Sequence, residues 1–390
     1  MDDRAYWVWA QQAFGEGSPM PWRLHRSYPG GLREFHRGGP KLWNTLGSVT
    51  EQAAAGLYSF SLEEAEARLE YAAKVGWEVC TPECEKYPEA LRNIFDPPAV
   101  LYVKGNLPEV DRAPAIAVAG CRKAWKESEE AAKAFGYQLA SGGAVVVSGG
   151  AVGVDAAALM GAMSAQGAAV SVLPVDLGSP YLNRNAGLRR LVPEHGGALV
   201  SEYFSLRNPL YGTFPQRNRI ITGLCCGTLL IQAAEKSGTI MYARLAAEQG
   251  RDVFVYPGPP GSEEAPAFAG SRGLLADGAR EVRHGEEILA EYALRFQERN
   301  KPVDLFEGLF DGIPLPGEEA PVLADPGGPQ PDGLSPEEER VWAALGGDML
   351  SVAQLEERTG LDASILLGAL TQLELDGAVR SAPGKRYSRR

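Results

Sequence analysis

PAIAVAGCRKAWKESEEAAKAFGYQLASGGAVVVSGGAVGVDAAALMGAMSAQG, residues 114–167, decides the architecture. Residues 114–120 are small and β-branched and read as a strand. ESEEAAKAFGYQLAS follows with helical spacing, then AVVVSGG as a strand and VDAAALMGAMSAQG as a helix. The order repeats through the strands AAVSVLPV, GALVSEYF, GTLLIQAA and RDVFVYPG, with helical stretches near residues 184–194, 217–224 and 239–249. Short apolar runs alternating with helical patterns are the signature of a parallel sheet covered by helices. The fold class is α/β, a doubly wound parallel sheet, and its functional loops are expected at the strand carboxyl ends.

Outward from this core, the 390 residues favour two or three domains at roughly 150 residues each. Residues 1–85 carry Trp7, Trp9, Trp22, Trp43 and Trp77 with helix-like periodicity and read as a small helical N-terminal domain. Residues 86–295 hold the α/β core. Residues 296–334 are an acidic linker rich in Pro and Gly, which buries too little apolar surface to fold. Residues 335–390 open with a Ser335 cap and Pro336 at the first helical position, then run as three short helices and a hairpin, the order of a winged helix.

Composition excludes several classes. An apolar share of 45% and a charged share of 23% rule out wholesale disorder. The absence of a run of ~18 apolar residues, with an acidic start, argues against a membrane span and a signal peptide, so a cytoplasmic location is expected. Five scattered cysteines (Cys80, Cys84, Cys121, Cys225, Cys226) form neither a disulfide framework nor a zinc site and read as reduced thiols; Cys225 and Cys226 read as small buried hydrophobes. None of the four histidines sits in a catalytic spacing, and no cofactor is implied. The net charge of −12 would count against nucleic acid, but residues 86–295 are neutral while the linker alone carries −6. A basic patch on the core therefore remains open.

Three loops carry chemistry. In the first, Gly120 ends a strand and lets the backbone approach a ligand, while Arg122 adds a fixed guanidinium fork suited to phosphate; a plain tight turn is the alternative. The second, SGGAVGVD with Gly149, Gly153 and Asp155, has neither the P-loop nor the dinucleotide spacing, and Asp155 reads more readily as a helix cap than as an acid. The third, FPQRNRIITGL, puts Arg217 and Arg219 around Asn218 at the expected start of a helix, so that two guanidiniums, an amide and a helix N-terminus converge on anionic oxygens. Phe214 is placed to stack on a base. The alternative is that at least one of the arginines pairs with Glu202 or another acid and fastens the loops together. Further on, Lys236, Ser237 and Gly238 open another helix at the same rim.

Together these motifs resemble the bacterial DNA-processing protein A family, DprA, also called Smf. The likeness runs over roughly 200 residues, from YPEAL and PPAVLYVKG through AGCRK, SGGAVGVD, SPYLNRN and FPQRNRIITGL to EKSGTIMYARLAAEQGRDVFVYPG. It implies a Rossmann-like core that binds and protects single-stranded DNA, helps load the RecA recombinase in natural transformation, acts as a homodimer through that core, and performs no chemistry on the DNA. By motif, the implied strand-binding residues are Gly120, Arg122, Gly149, Gly153, Phe214, Arg217, Asn218, Arg219, Lys236, Ser237 and Gly238.

The sequence departs from the family pattern at Cys121, Val152, Leu159, Gln232 and Arg272, and Val152 removes one expected phosphate contact. Two other readings follow from the fold class. One is a nucleotide-processing enzyme that hydrolyses the glycosidic bond of nucleoside monophosphates, for which Asp155, Glu202 and Glu235 are the nearby carboxylates; none stands in the expected Pro-Gly-Gly-x-Gly-Thr-x-x-Glu string. The other is a nucleotide-sensing module. The expected recognition helix of the winged helix, 362–376, has no Lys or Arg, which disfavours major-groove insertion and fits a protein contact or autoinhibition. The wing, with Arg380, Lys385, Arg386, Arg389 and Arg390, retains a possible phosphate contact.

Overall fold

The computed structural model describes residues 2–43, 47, 49–181, 185–210, 212–296, 334–345, 350–361, 363–375, 378–382 and 386–389. Two compact units are present, residues 1–303 and 304–390. The first opens with helices α1 (Arg4–Phe14), α2 (Met20–Ser27), α3 (Gly31–Trp43), α4 (Glu51–Ser59) and α5 (Leu62–Lys74). The start of α5 is fixed by reciprocal hydrogen bonds between Ser61 and Glu64. Strand β1 (Glu78–Cys80), helix α6 (Glu89–Arg92) and strand β2 (Leu101–Gly105) lead into the core.

There the expected alternation appears: β3 (Ala115–Gly120), α7 (Lys126–Ser141), β4 (Val145–Ser148), α8 (Val154–Ser164), β5 (Ala169–Leu173), α9 (Ala186–Glu194) and β6 (Ala198–Ser201). It continues with α10 (Thr213–Gly223), β7 (Gly227–Ile231), α11 (Ile240–Glu248), β8 (Asp252–Tyr256), α12 (Ala269–Ala276), β9 (Arg280–Glu281) and α13 (Gly285–Tyr292). The nine strands order as β1-β2-β6-β5-β4-β3-β7-β8-β9. From β6 to β9 the pairs are parallel, with Ala115 opposite Val145 and Ile116 opposite Gly227, while β1 and β2 add to the β6 edge antiparallel. Helices cover both faces, so β3 to β7 are buried along their lengths, which is why they read as continuous apolar runs. This is a Rossmann-like doubly wound sheet.

The boundary expected at residue 85 is not a break in this unit. One apolar core runs from Ala5 to Phe296, and β1 is hydrogen-bonded into the sheet. Trp7 and Trp9 are fully buried, with indole N–H groups donating to Glu83 (2.7 Å) and the Leu57 carbonyl (3.3 Å). Of the linker expected over 296–334, residues 297–333 lie outside the described residues.

The second unit is a winged helix: α14 (Pro336–Ala344), β10 (Leu350–Ser351), α15 (Val352–Thr359), α16 (Ala363–Leu375), β11 (Val379–Ala382) and β12 (Arg386–Arg389), with an antiparallel sheet ordered β10-β12-β11. It has its own core, which includes Val341, Trp342, Leu355, Leu366 and Leu370. The Arg389 guanidinium lies 4.6 Å from the Trp342 ring centroid and donates to the Trp342 carbonyl at 2.7 Å, so this wing arginine fastens the hairpin to α14. The side chains of Arg380, Lys385, Arg386 and Arg390 lie outside the described residues. Among the described residues, no helix is long and apolar enough to cross a membrane.

Candidate nucleic-acid interface

Strand order reverses at β3, which has β4 on one side and β7 on the other. Ligands of open α/β sheets bind in the crevice outside the carboxyl ends of the strands at such a point. A cavity of about 330 Å³ lies there, lined by Gly120, Arg122, Phe214, Arg217, Asn218, Ser237 and Gly238 from the expected set. Ala151, Asp155, Thr239 and Tyr242 complete its wall.

Helix α10 starts earlier than its sequence implied. Gly212 adopts φ 94° as the N-cap, and Pro215 falls in the first turn, where its missing N–H costs nothing. Arg217 and Asn218 therefore sit in the second turn on a buried face, away from the helix N-terminus. Arg217 is 4% exposed, and its Nη1 donates to the Val172 carbonyl at 2.6 Å. Its Nε has no partner, and neither do Asn218 Oδ1 and Ser237 Oγ, all three buried in residues that line the cavity. At the mouth, Arg122 is exposed and its guanidinium lies over the Phe214 ring, 5.0 Å from the centroid, while Tyr181 packs edge to face with that ring at 6.3 Å between centroids.

Arg219 is placed differently. Residues two apart on a helix point to different sides, and Arg219 turns from the cavity into the protein. It is 3% exposed; Nη2 donates to both Glu202 oxygens at 2.8 and 2.6 Å, and Nε lies 3.3 Å from Asp96 Oδ2. The expected anion contact at Arg219 is thus replaced by the ion pair that was its alternative, because the burial that hides it also supplies the carboxylates.

Gly149 and Gly153 do not line the cavity but shape it. A Cβ at Gly149 would collide with Arg217 Nη1 and lie 2.7 Å from Asp155 Oδ2, so the missing side chain is the space the guanidinium occupies. Gly153 has φ 86° and passes close to the Cys121 and Arg122 carbonyls, a conformation and a gap that suit only glycine. Lys236 is exposed on the segment between β7 and α11 and does not line the cavity.

Asp155 is the second residue of α8, whose N-cap is Gly153, so it is not the cap expected of it. Its carboxylate turns back to the Ala151 N–H at 3.5 Å, and burial pushes its pKa up while Arg217 pulls it down. Tyr242, buried beside these groups, has its phenol pushed up to about 12 by desolvation. Tyr242 lies within the EKSGTIMYARL segment that carried the resemblance but was not singled out, because it occupies an ordinary helix position. Among the departures from the family pattern, Leu159 packs fully buried, and Gln232 accepts the Trp125 N–H at 2.8 Å, tying the loop after β3 to the one after β7. Arg272 donates to the Ala265 carbonyl. Of the other carboxylates, Glu202 is spent on Arg219 and Glu235 is exposed. Among the described residues, no group of three or more His, Cys, Asp or Glu is placed to hold a metal.

Fold and site together define a Rossmann-like protein with a cationic, amide-bearing crevice at its topological switch point and an appended winged helix. Residues 78–293 match the family described as DNA recombination-mediator protein A, and residues 325–385 match the DprA winged helix domain. The chain belongs to the DprA/Smf family. It is 33% identical to protein Smf of Escherichia coli over 86% of this chain and 84% of that one. It is 35% identical to the DNA processing protein DprA of Streptococcus pneumoniae over 53% of this chain and 71% of that one. The crystal structure of the Streptococcus pneumoniae protein superposes with a TM-score of 0.62 at 25% identity, covering 74% of this chain and 98% of that one.

Proposed function

We propose that this chain processes DNA in transformation by binding single strands at the crevice between β3 and β7 and delivering them to the RecA recombinase, acting as a homodimer and performing no chemistry on the strand. The observation that carries the reading is the set of unpartnered buried groups, Arg217 Nε, Asn218 Oδ1 and Ser237 Oγ, around one cavity with Arg122 at its mouth. Buried polar groups without partners are costly; a phosphodiester that enters the cavity accepts from Arg217 Nε and Ser237 Oγ beside the Arg122 cation, while Asn218 Oδ1, an acceptor, is left for a donor on a base edge. Phe214, covered by Arg122, offers a face that tolerates any base. Family membership supports the same reading.

The test is fluorescence anisotropy of a labelled oligo(dT) strand at several salt concentrations, with duplex and mononucleotide competitors. Binding is expected to prefer the single strand and to weaken with salt. Arg122→Ala, at an exposed position, lowers affinity about tenfold or more. Equal binding of duplex, or unchanged affinity in Arg122→Ala and Arg217→Ala with melting temperatures recorded alongside, overturns the site. The competing reading is a nucleotide hydrolase, favoured by the presence of Asp155 in the cavity wall. Release of free base from nucleoside monophosphates, followed by chromatography, would replace the first reading with the second.

A further inference from the structure

A second cavity, of about 490 Å³, opens between α5 and the segments that follow β5 and β6. It lies at the same carboxyl edge of the sheet as the first, three strand spacings away, or about 14 Å. Its size is that of a pocket for one small ligand, which run about 300–1,000 Å³. None of its residues belongs to the family's sequence motifs described above.

Three aromatic rings form one wall. Tyr71, Trp77 and Phe204 meet edge to face at 5.7–6.3 Å between centroids, and Tyr71 is half exposed. Arg68 caps this wall, 4.2 Å from the Phe60 centroid and 5.1 Å from that of Phe204. Arg207, exposed at the rim, adds a second cation. The remaining feature is a carboxylate. Asp176 is 1% exposed and lines the cavity; its Oδ1 accepts the Gly178 N–H at 2.9 Å and faces Arg207 Nη1 at 3.7 Å, while Oδ2 has no partner. A buried acceptor beside aromatic rings calls for a flat ligand that brings hydrogen-bond donors on its edge.

We infer that this pocket binds a guanine base, with the ring against the aromatic wall, its N1–H and N2–H donated to Asp176, and its phosphate toward Arg68 or Arg207. Unstacked bases are read by stacking on aromatic or guanidinium planes and by hydrogen bonds to the Watson–Crick edge. Guanine alone presents two adjacent donors there. Adenine and cytosine set a ring acceptor beside their amino group, which a carboxylate repels, and thymine flanks its one N–H with carbonyls. The guanine can be carried by a strand that crosses from the first cavity along the sheet edge, or by a free nucleotide. The inference therefore goes beyond the proposed function, and the free-nucleotide arm of the test does not depend on it.

The experiment uses the full chain and compares a labelled oligo(dT) strand with the same strand carrying one central dG, alongside calorimetric titration with dGMP and dAMP. A dG strand bound about fivefold or more tighter than oligo(dT) is the expected result if the base is read in the strand, since a bidentate pair discriminates by at least that factor. Binding of dGMP in preference to dAMP is the expected result if the ligand is free. In either case Asp176→Asn reduces the preference to below about twofold and leaves oligo(dT) affinity unchanged. Tyr71→Ala, at an exposed position, weakens guanine binding by the same test and keeps it decisive where Asp176→Asn fails to fold. No dG preference together with no dGMP binding overturns the inference, as does a preference that survives in both folded variants. Failure of oligo(dT) to bind at all would instead remove the proposed function, and the dGMP titration would still decide this one.

Discussion

Replacing Arg219 by Ala should cost folding stability before it costs strand binding. The guanidinium is enclosed at 3% exposure, its Nη2 holding both oxygens of Glu202, itself 2% exposed, and its Nε facing Asp96. Removing it leaves the Glu202 charge buried without a counterion, and breaking a buried pair from one side costs about 3–5 kcal/mol. That is a large part of a typical total of about 5–15 kcal/mol. For a unit of this size the melting temperature should fall on the order of 5–15 °C. The double replacement Arg219→Met with Glu202→Leu removes both charges and should recover most of the loss, because apolar pairs of similar volume replace buried ion pairs at little cost. Recovery stays incomplete, since the Gly17 N–H loses the Glu202 Oε1 that accepts it at 3.1 Å. The assay is thermal melting by circular dichroism, with strand anisotropy recorded on the same samples at 15 °C. An Arg219→Ala protein that melts within about 2 °C of wild type and loses strand affinity as strongly as Arg217→Ala would refute the reasoning.

Other outcomes follow from the same geometry. Gly149→Ala places a methyl where the Arg217 guanidinium sits, so it should destabilise by about 1–3 kcal/mol and lower strand affinity; urea titration and anisotropy check both. Cys84 accepts hydrogen bonds from the Cys80 thiol and from the Thr81 N–H and hydroxyl, which pull its pKa down to about 5. The folded state binds that proton less tightly than the unfolded chain, so its contribution to stability is lost as pH falls through about 5. Alkylation at Cys84, followed by mass spectrometry, should hold its rate from pH 8 to pH 6, where an ordinary thiol slows about tenfold per unit. Truncation after residue 303 should retain oligo(dT) affinity within about threefold, because residues 1–303 form a compact unit that contains the whole cavity; a larger loss assigns strand contacts to the winged helix.

The strands from β3 to β7 were legible because burial on both faces leaves unbroken apolar runs, and the glycine turns at their carboxyl ends marked the crevice. The antiparallel edge was not. Strand β1 has only three residues, and its pairing with β2 joins segments some twenty residues apart, which no local period encodes. The arginine pair shows a different limit. FPQRN reads as a loop running into a helix only if Pro215 ends the loop; once proline is allowed in the first turn, the helix takes in Arg217 and Arg219 together. Their separation of two positions then sends them to different sides, one to the cavity and one to Glu202. The second pocket left no mark in the sequence, because Arg68, Tyr71, Trp77, Asp176 and Phe204 come from three separate stretches and share no motif.

The N-terminal helices acquire a role from the same contacts. Gln11 on α1 donates to the Glu202 carbonyl at 2.7 Å, Gly17 donates to its side chain, and Gln216 on α10 reaches the Glu16 carbonyl at 3.4 Å while accepting the Tyr203 hydroxyl at 2.7 Å. Glu202 is therefore held from the helices on one side and from Arg219 on the other. The helix that carries Arg217 and Asn218 is clamped between the sheet and the first seventeen residues of the chain. An arginine aimed into a cavity with an unpartnered Nε is held in a costly position, and such positions persist only where the surroundings fix them. The helices that read as a separate module are in this sense part of the site's frame: they fix α10, α10 fixes Arg217, and the space left by Gly149 admits its guanidinium.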